Sequence, residues 1–381
     1  RILADHGRPA ARAFTAGPED WRNLCDMDLD LVYIATPWDW HVPMAVGAMQ
    51  AGRHAAVEVP AALTLDGCWE LVETSEATGK HCMMLENCCY DFFELQTLNM
   101  VRQGVFGELT HAEGAYIHSL VDYRPPEGDE EIYQGNWRIK HNLKMNGCLY
   151  PTHGLGPVAQ CLDINRGNKF DYLTSMQSQQ AAFTEHARLT GNTEFADLPS
   201  YRGDMNTTLI KCAGGQTVMV QHDTSTPRAY SRIHLVQGSK GMARKWPKTG
   251  ITLHEHGHRW VDDDVFKELE EKYRHPLTKT IGDIAKKVGG HGGMDFIMDY
   301  RLIYCLKNGL PLDQDVYDAA AWSAVVPLSI DSVADRSNSR DVPDFTRGRW
   351  KTNRPLEIVD VDPGLLPLQG VKESAEKLEV E

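Results

Sequence analysis

The sequence predicts two joined architectures: an α/β part with a parallel sheet, then an α+β part with a large, mostly antiparallel sheet. Two observations predict this. Between residues 29 and 103, short apolar runs alternate with helical stretches of roughly 10–15 residues, the rhythm of βαβ units. From Glu108 onward the hydrophobic period switches to two, as in strands with one buried face. A third observation qualifies the first part. No G-x-G-x-x-G occurs near the start, although the sheet pattern calls for one, and no first strand is obvious there.

Each element has its own local reason. Leu29–Thr36 (LDLVYIAT) is a nearly continuous apolar run, as a strand buried on both faces requires. A helix over His41–Ala51 follows, closed by Gly52. His54–Glu58 and His81–Leu85 read as the next strands. Between them lies a helix over Thr64–Thr78, with Thr64 as N-cap and Gly79 just past its end. Asp91–Gln103 reads as a further helix. In the second part, Leu109–Leu120, Phe170–Ala181, Thr207–Cys212, Gln216–His222, Ser231–Gln237 and Gly250–Glu255 alternate as antiparallel strands do. One helix-like segment, about Cys148–Leu162, falls between the first two. Helices over Gly293–Asn308 and Val316–Val333 come near the end. The expected division is therefore residues 1–107, residues 108–343, and a Pro-, Gly- and charge-rich tail, 344–381, that wraps the surface.

Composition narrows the function. The chain has 381 residues, enough for two ordinary domains, with 42% hydrophobic and 24% charged residues. A formal charge of −14 argues against nucleic acid, whose binders need a basic face. No apolar run approaches the ~18 residues of a membrane span. Nine scattered cysteines read as buried or free thiols, since no pair has metal-ligand spacing. The chain opens Arg1-Ile2-Leu3-Ala4, without an initiator Met or signal peptide, and reads as cut. Its location is left open; the cysteine usage is compatible with a periplasmic or exterior setting. A neutral or cationic small molecule or a glycan is the expected partner, and an open sheet face offers a surface to a second copy of the chain.

Two motifs invite misreading. His254-Glu255-His256-Gly257-His258 matches H-E-x-x-H, which needs a helix to bring both histidines to one face. Its context reads as a strand, where histidines four apart lie about 13 Å from each other at ~3.3 Å per residue. No metal is expected there. Gly289-Gly290-His291-Gly292-Gly293 follows no clear strand, so it is a poor phosphate loop. It reads instead as a tight, mobile turn that lets His291 approach an active site.

The expected chemistry gathers at strand ends. In open α/β sheets the loops after the carboxyl ends of strands form the ligand crevice. Trp38, Asp39, Trp40 and His41 follow the first such end, Glu58 and Val59 the second, and Asn87 the third. In the second part Tyr150 and His153 lie three apart at a helix start and share a face. Tyr116, Arg138 and Tyr230 are further polar aromatic or cationic candidates.

These segments (ATPWDWHVPMA, HAAVEVPAA, LENCCY, NWR, YPTHGLGP and GHGGMD) resemble glycoside hydrolase family 109, the NAD-dependent α-N-acetylgalactosaminidases. That family belongs to the glucose-fructose oxidoreductase-like superfamily, and the resemblance covers the chain from about Ala13. It implies a Rossmann-type first domain binding NAD through Trp38, Asp39, Trp40, His41, Glu58, Val59 and Asn87. It also implies a sugar site lined by Tyr116, Arg138, Tyr150, Pro151, Thr152, His153 and Tyr230, with His153 and Tyr150 moving protons. Val59 stands where the superfamily's sugar dehydrogenases usually carry a lysine. The implied activity is therefore hydrolysis through oxidation, elimination, addition and reduction, with no net redox change. The alternatives are a net sugar or cyclitol dehydrogenase, which would accumulate NADH, and a non-catalytic carbohydrate-binding protein. The departure from the family is the unit with the pyrophosphate turn and the ribose-binding acid. A chain truly lacking it is expected to bind NAD poorly.

Overall fold

A short helix, α1 (Trp21–Cys25), leads into a three-stranded parallel sheet in the order β1-β2-β3. Its strands are β1 (Leu31–Ile34), β2 (His54–Val57) and β3 (Cys82–Met84). The connecting helices are α2 (His41–Gln50) and α3 (Leu65–Thr78). The Thr64 hydroxyl accepts from Gly67 N at 3.0 Å, and Gly79 closes α3 at φ 66°, so the expected caps are both present. Strands β2 and β3 are almost wholly buried, which explains their unbroken apolar runs. The structure, a computed structural model, describes residues 7–121, 136–191, 196, 202–362 and 364. The first six residues, and the tail beyond 364, lie outside the described residues.

After α4 (Phe92–Arg102) the chain enters an eight-stranded sheet. Its strands are β4 (Leu109–Ile117), β5 (Phe170–Gln177), β6 (Met205–Cys212), β7 (Thr217–Asp223), β8 (Leu235–Gly238), β9 (Gly241–Arg244), β10 (Gly250–Leu253) and β11 (Arg340–Asp341). They run in the order β10-β9-β8-β4-β7-β6-β5-β11. The sheet is mostly antiparallel, as expected, with one exception. β4 pairs parallel with β7 and antiparallel with β8, so β4 lies between two partners that follow it in sequence. Alternation reports which face a residue takes, not the direction of the neighbouring strand, so the period could not reveal this.

Several expected boundaries move for identifiable reasons. The strand expected over Ser231–Gln237 begins only at Leu235, because Ile233 and His234 take φ of 57° and 48° and break the extended backbone. The helix expected over Gly293–Asn308 is α11 (Met294–Asn308), preceded by α9 (Pro276–Thr280) and α10 (Gly282–Val288), and the helix expected over Val316–Val333 is two, α12 (Val316–Ser323) and α13 (Val325–Ala334). Helices over Asn136–Lys144 (α5), Ala182–Leu189 (α7) and Asp263–Tyr273 (α8) were not expected. All nine cysteines are free and buried. Among the described residues no helix is long and apolar enough to cross a membrane.

The two sheets are locked together by contacts between residues far apart in sequence. Ser323 of α12 accepts from Ala61 N at 3.0 Å and also contacts Met84 of β3. In the described part of the tail, Phe345 is in the core and Leu356 O accepts from Arg102 Nε at 2.7 Å. Helix α13 covers one face of β5. On the other face Tyr172, Met176 and Leu209 stand exposed.

The decisive packing joins β4 to α6 (Thr152–Cys161). A Cβ on Gly154 would lie 2.1 Å from Ala115 N, and one on Gly114 would lie 2.2 Å from Gly154 O. Helix and strand therefore touch backbone to backbone, which only two glycines allow. A Cβ on Gly156 would likewise lie 2.8 Å from Glu86 Cγ and 2.9 Å from Trp322. Gly154→Ala is expected to lower stability by about 1–3 kcal/mol or more, because neither backbone can yield without moving its whole element. Urea unfolding checks this; an unchanged midpoint would mean that α6 lifts off β4 without cost.

Candidate active site

Helix α6 starts beneath the carboxyl ends of β1–β3, and its first turn carries the site. Tyr150 and Pro151 lead into it and Thr152 begins it; all three are buried, Thr152 completely. Thr152 and Pro151 thus lie under the site as its footing. His153 emerges from the same turn, and its Nδ1 is 2.7 Å from Glu86 Oε1. Glu86, just past β3, is 0% exposed. Its Oε1 also accepts from Cys88 N at 3.1 Å, and its backbone carbonyl accepts from Gln314 Nε2 at 2.9 Å. Burial by itself pushes the Glu86 pKa up. The His153 charge and hydrogen bond, with the Cys88 N–H, outweigh that and hold it below the usual carboxylate range. A carboxylate can only accept, so His153 Nδ1 carries the proton and Nε2 is left free for chemistry.

Aromatic rings enclose His153. Tyr150 and Tyr116 have ring centroids 4.9 and 5.3 Å from it, and 4.7 Å from each other. The Tyr116 hydroxyl is 2.9 Å from His118 Nδ1, and the His118 ring packs edge-on against Tyr230 at 5.2 Å. Tyr230 is partly exposed at the rim, with Arg232 Nη1 3.3 Å from its hydroxyl. Arg232 is fixed in turn by Glu94 at 2.9 Å and by Asp91. Arg138, on α5, lies with its guanidinium carbon 5.6 Å from the centre of the Tyr150 ring and 5.0 Å from that of Trp137. Burial pushes the Tyr150 phenol well above its ordinary pKa, and Arg138 only partly opposes this. The phenol therefore stays protonated, and Tyr150 is suited to donate rather than to act as a base.

The strand-end residues also meet. Trp38 donates from Nε1 to Val59 O at 3.1 Å, tying the loop after β1 to the loop after β2. Its ring is 5.9 Å from Tyr150 and 4.9 Å from Trp137, so the first sheet and the sugar-site candidates share one wall. His41 is buried, with Nδ1 and Nε2 each 2.8 Å from a backbone carbonyl, of Pro60 and Thr36 respectively. Its ring is engaged on both nitrogens and shapes the crevice from beneath. Asp39 is exposed, 3.4 Å from His141 Nε2, and Trp40 is half-buried beside it. These two line a cleft of about 570 Å³ with Pro37, Trp137 and Lys140. Val59 is 2% exposed and offers no titratable group. Burial raises the pKa of Glu58. Asn87 donates to Asp295 Oδ1 at 2.6 Å.

Sequence reading did not find Glu86, His118, Trp137 or Asp295 as individual site residues. Glu86 lies inside LENCCY and Trp137 inside NWR, but nothing local separates a buried charged partner from a strand exit. The site holds two neighbouring acids. Glu58 and Glu86 are neighbours close enough to influence each other, yet Glu86 is sealed from solvent and bonded to His153. Among the described residues Glu86, Cys88 and His153 are the group whose ligand atoms cluster tightly enough for a metal ion. Burial, then the Glu86 charge, push the Cys88 thiol far above its ordinary pKa, so it would remain a thiol, and His153 Nδ1 is already taken. That donor set fits a hydrogen-bonded cluster and not a metal centre. His254 and His256 form a 3-10 turn directly after β10, so the expected strand stops at Leu253, and H-E-x-x-H lies on no α-helix.

A Rossmann-type parallel sheet whose strand ends face a carboxylate-held histidine from an α+β domain defines an NAD-linked enzyme. Residues 4–86 match the oxidoreductase family with an NAD-binding Rossmann fold, and residues 90–352 match the C-terminal domain of glycosyl hydrolase 109. The chain belongs to glycosyl hydrolase family 109. It is 52% identical over 367 residues to a glycosyl hydrolase family 109 protein of Shewanella amazonensis, covering 94% of this chain and 79% of that one. It is 48% identical over 357 residues to an alpha-N-acetylgalactosaminidase of Bacteroides fragilis, covering 92% and 83%. Among solved structures, levoglucosan dehydrogenase in complex with NADH and L-sorbose superposes with a TM-score of 0.64 at 16% identity, covering 91% and 87%. An aldose-aldose oxidoreductase from Caulobacter crescentus gives 0.61 at 15%, covering 90% and 87%. The two structural likenesses show a shared fold.

Proposed function

We propose that this enzyme hydrolyses terminal α-N-acetylgalactosaminyl or closely related residues of glycans and returns its cofactor unchanged after each turnover. One observation carries this reading: a histidine with Nδ1 fixed by a buried carboxylate, enclosed by two tyrosines at the strand ends, with no lysine at Val59. Hydrolysis by a flanking carboxylate pair would need two acids open to the sugar. Glu86 is closed off, and Asp295, the other acid felt at Glu58, is engaged by Asn87 and His291.

The strand-end residues fit the nicotinamide-proximal part of NAD. The Thr36 hydroxyl, at the end of β1, is buried with no hydrogen-bond partner among the described residues. Trp38 and Trp40 supply flat apolar walls, with Asp39 at the rim; Glu58 and Asn87 supply polar contacts, and Val59 a buried apolar floor. His41 holds the loops that carry them. When bound, NAD⁺ would supply reversible hydride acceptance at C3 of the sugar, with the C3 hydroxyl proton passing to water and returning when the hydride does, and the carbonyl so formed acidifies the C2 proton. His153 Nε2 takes that proton and later returns it. Tyr150, kept neutral by burial, donates a hydrogen bond to the sugar. Tyr116, oriented by His118, and Tyr230, held by Arg232, align the ring, while Arg138 offers a cation at the Tyr150 side.

The reading predicts a specific label. Run in D₂O, hydrolysis should place deuterium at C2 of the released sugar, because elimination must break that C–H bond and direct displacement at C1 does not. NADH absorbance should not grow with product. Product fully protiated at C2, with a slowly exchanging base ruled out, would falsify the elimination route. NADH growing in step with product would make the enzyme a dehydrogenase.

A further inference from the structure

A recess of about 20 Å³ adjoins the sugar-site rings, walled by Trp38, Tyr116, Leu120, Leu149, Tyr150 and His222. That volume admits one group the size of a water or a methyl. Trp38, Tyr116, Leu149 and Tyr150 are all buried, so most of the wall is apolar. Its polar part comes largely from β7. The parallel pairing of β4 with β7 sets His222 opposite Tyr116, and their rings stack at 6.3 Å. Asn142 and Thr224 also reach the recess, but the buried Arg202 engages both. Its Nε donates to Asn142 Oδ1 at 3.0 Å and its Nη2 donates to the Thr224 hydroxyl.

His222 is placed differently. It is 2% exposed, and its Nδ1 has no hydrogen-bond partner among the described residues. The other ring nitrogen, Nε2, meets the Gly147 carbonyl, which can only accept, so Nε2 carries the proton. Burial, then the Arg202 charge, push the His222 pKa well below its ordinary value, and the ring stays neutral. Nδ1 is therefore a bare acceptor at the edge of an apolar recess. A buried polar atom so placed calls for a donor.

An acetamido group offers a donor and a methyl side by side. In a trans amide the N–H and the acetyl methyl share one edge, while the carbonyl oxygen lies on the other, beside the sugar carbon. We propose that the recess takes the 2-acetamido group of the sugar, with its methyl against Leu149 and Trp38 and its N–H on His222 Nδ1. His222 and Leu149 are then specificity-determining residues. The inference rests on the function proposed above and adds the contact by which the sugar's amide is told from other substituents. Two exclusions follow. The recess holds one methyl, so longer acyl chains are refused. Nδ1 can only accept, so an ester oxygen in place of the N–H is repelled.

The test measures kcat/KM of the enzyme carrying NAD on three p-nitrophenyl α-galactosides, with acetamido, butanamido or acetoxy at C2. Wild type should favour acetamido over butanamido by on the order of 10²-fold, because two added methylenes must displace packed side chains. It should favour acetamido over acetoxy by about tenfold, as when a hydrogen bond gives way to two facing acceptors. Leu149→Ala enlarges the recess and should narrow the first ratio by about tenfold or more. His222→Phe removes the acceptor and should bring the second ratio close to one. Each ratio is taken within one preparation, so the fraction of a variant that folds cancels. Wild-type ratios near one, or either ratio unmoved by its substitution, would overturn the assignment of the recess. If wild type cleaved none of the three glycosides, the proposed hydrolysis itself would be refuted and the recess assignment would fall with it.

Discussion

Replacing His153 with alanine should lower turnover by about 10²–10⁴-fold, the usual worth of a positioned acid or base, with NAD still bound. The reason is geometric. His153 is the imidazole whose Nδ1 is occupied by a buried carboxylate, which leaves Nε2 as the basic atom among Tyr116 and Tyr150. Alanine removes that atom while leaving helix α6 in place, because the contacts that seat the helix run through Gly154 and Gly156 rather than through the imidazole. Steady-state kinetics on an α-N-acetylgalactosaminide, with a count of bound cofactor per chain, makes the comparison. A loss of only a few-fold would reduce His153 to a binding or packing group and move the base elsewhere.

Glu86→Gln should cost on the order of 10²-fold in kcat, with KM changed far less. Glutamine has nearly the same shape, but its amide can donate as well as accept. Presented with an N–H, His153 would turn its unprotonated nitrogen toward residue 86 and carry the proton on Nε2, the wrong tautomer for a base. The same substitution predicts a change in acid stability. The folded-state pKa of Glu86 lies below its ordinary value of 4.5. Its ionised form therefore stabilises the fold above that value, and the contribution is lost as pH falls through the lower folded-state pKa. The thermal midpoint of the glutamine variant should fall less steeply than wild type across that acid range. If kcat and KM moved together, or if the acid limb of stability kept its slope, Glu86 would be a structural residue and not one that orients His153.

The parallel sheet was legible because its signals are local. An unbroken apolar strand, a threonine cap and a glycine stop each depend on neighbours within one turn, so β1–β3 and α2–α4 could be read directly. The strand-end residues were legible for the same reason: a loop after a buried strand points to the ligand edge whatever follows later. Helix α5 was not legible, since its polar sequence carries no apolar stripe and it is held by Trp137 against Trp38. Nor was the parallel pairing of β4 with β7, because a strand's alternation says nothing of its neighbour's direction.

By itself the sequence determined β1–β3 and most strands of the second sheet, though not β9 or β11, together with the family resemblance and the candidates Tyr150, His153 and Trp38. Tertiary structure alone decided what those candidates could do. Glu86 meets His153 across 67 positions of chain, and Asn87 meets Asp295 across 208. The first encounter exists because β4 and α6 touch through two glycines and because Gly156 lets Glu86 approach, contacts that no local pattern announces. Protonation follows the same rule. Whether a tyrosine is a base or a donor depends on how completely the fold removes it from water, and burial, not residue type, keeps Tyr150 neutral.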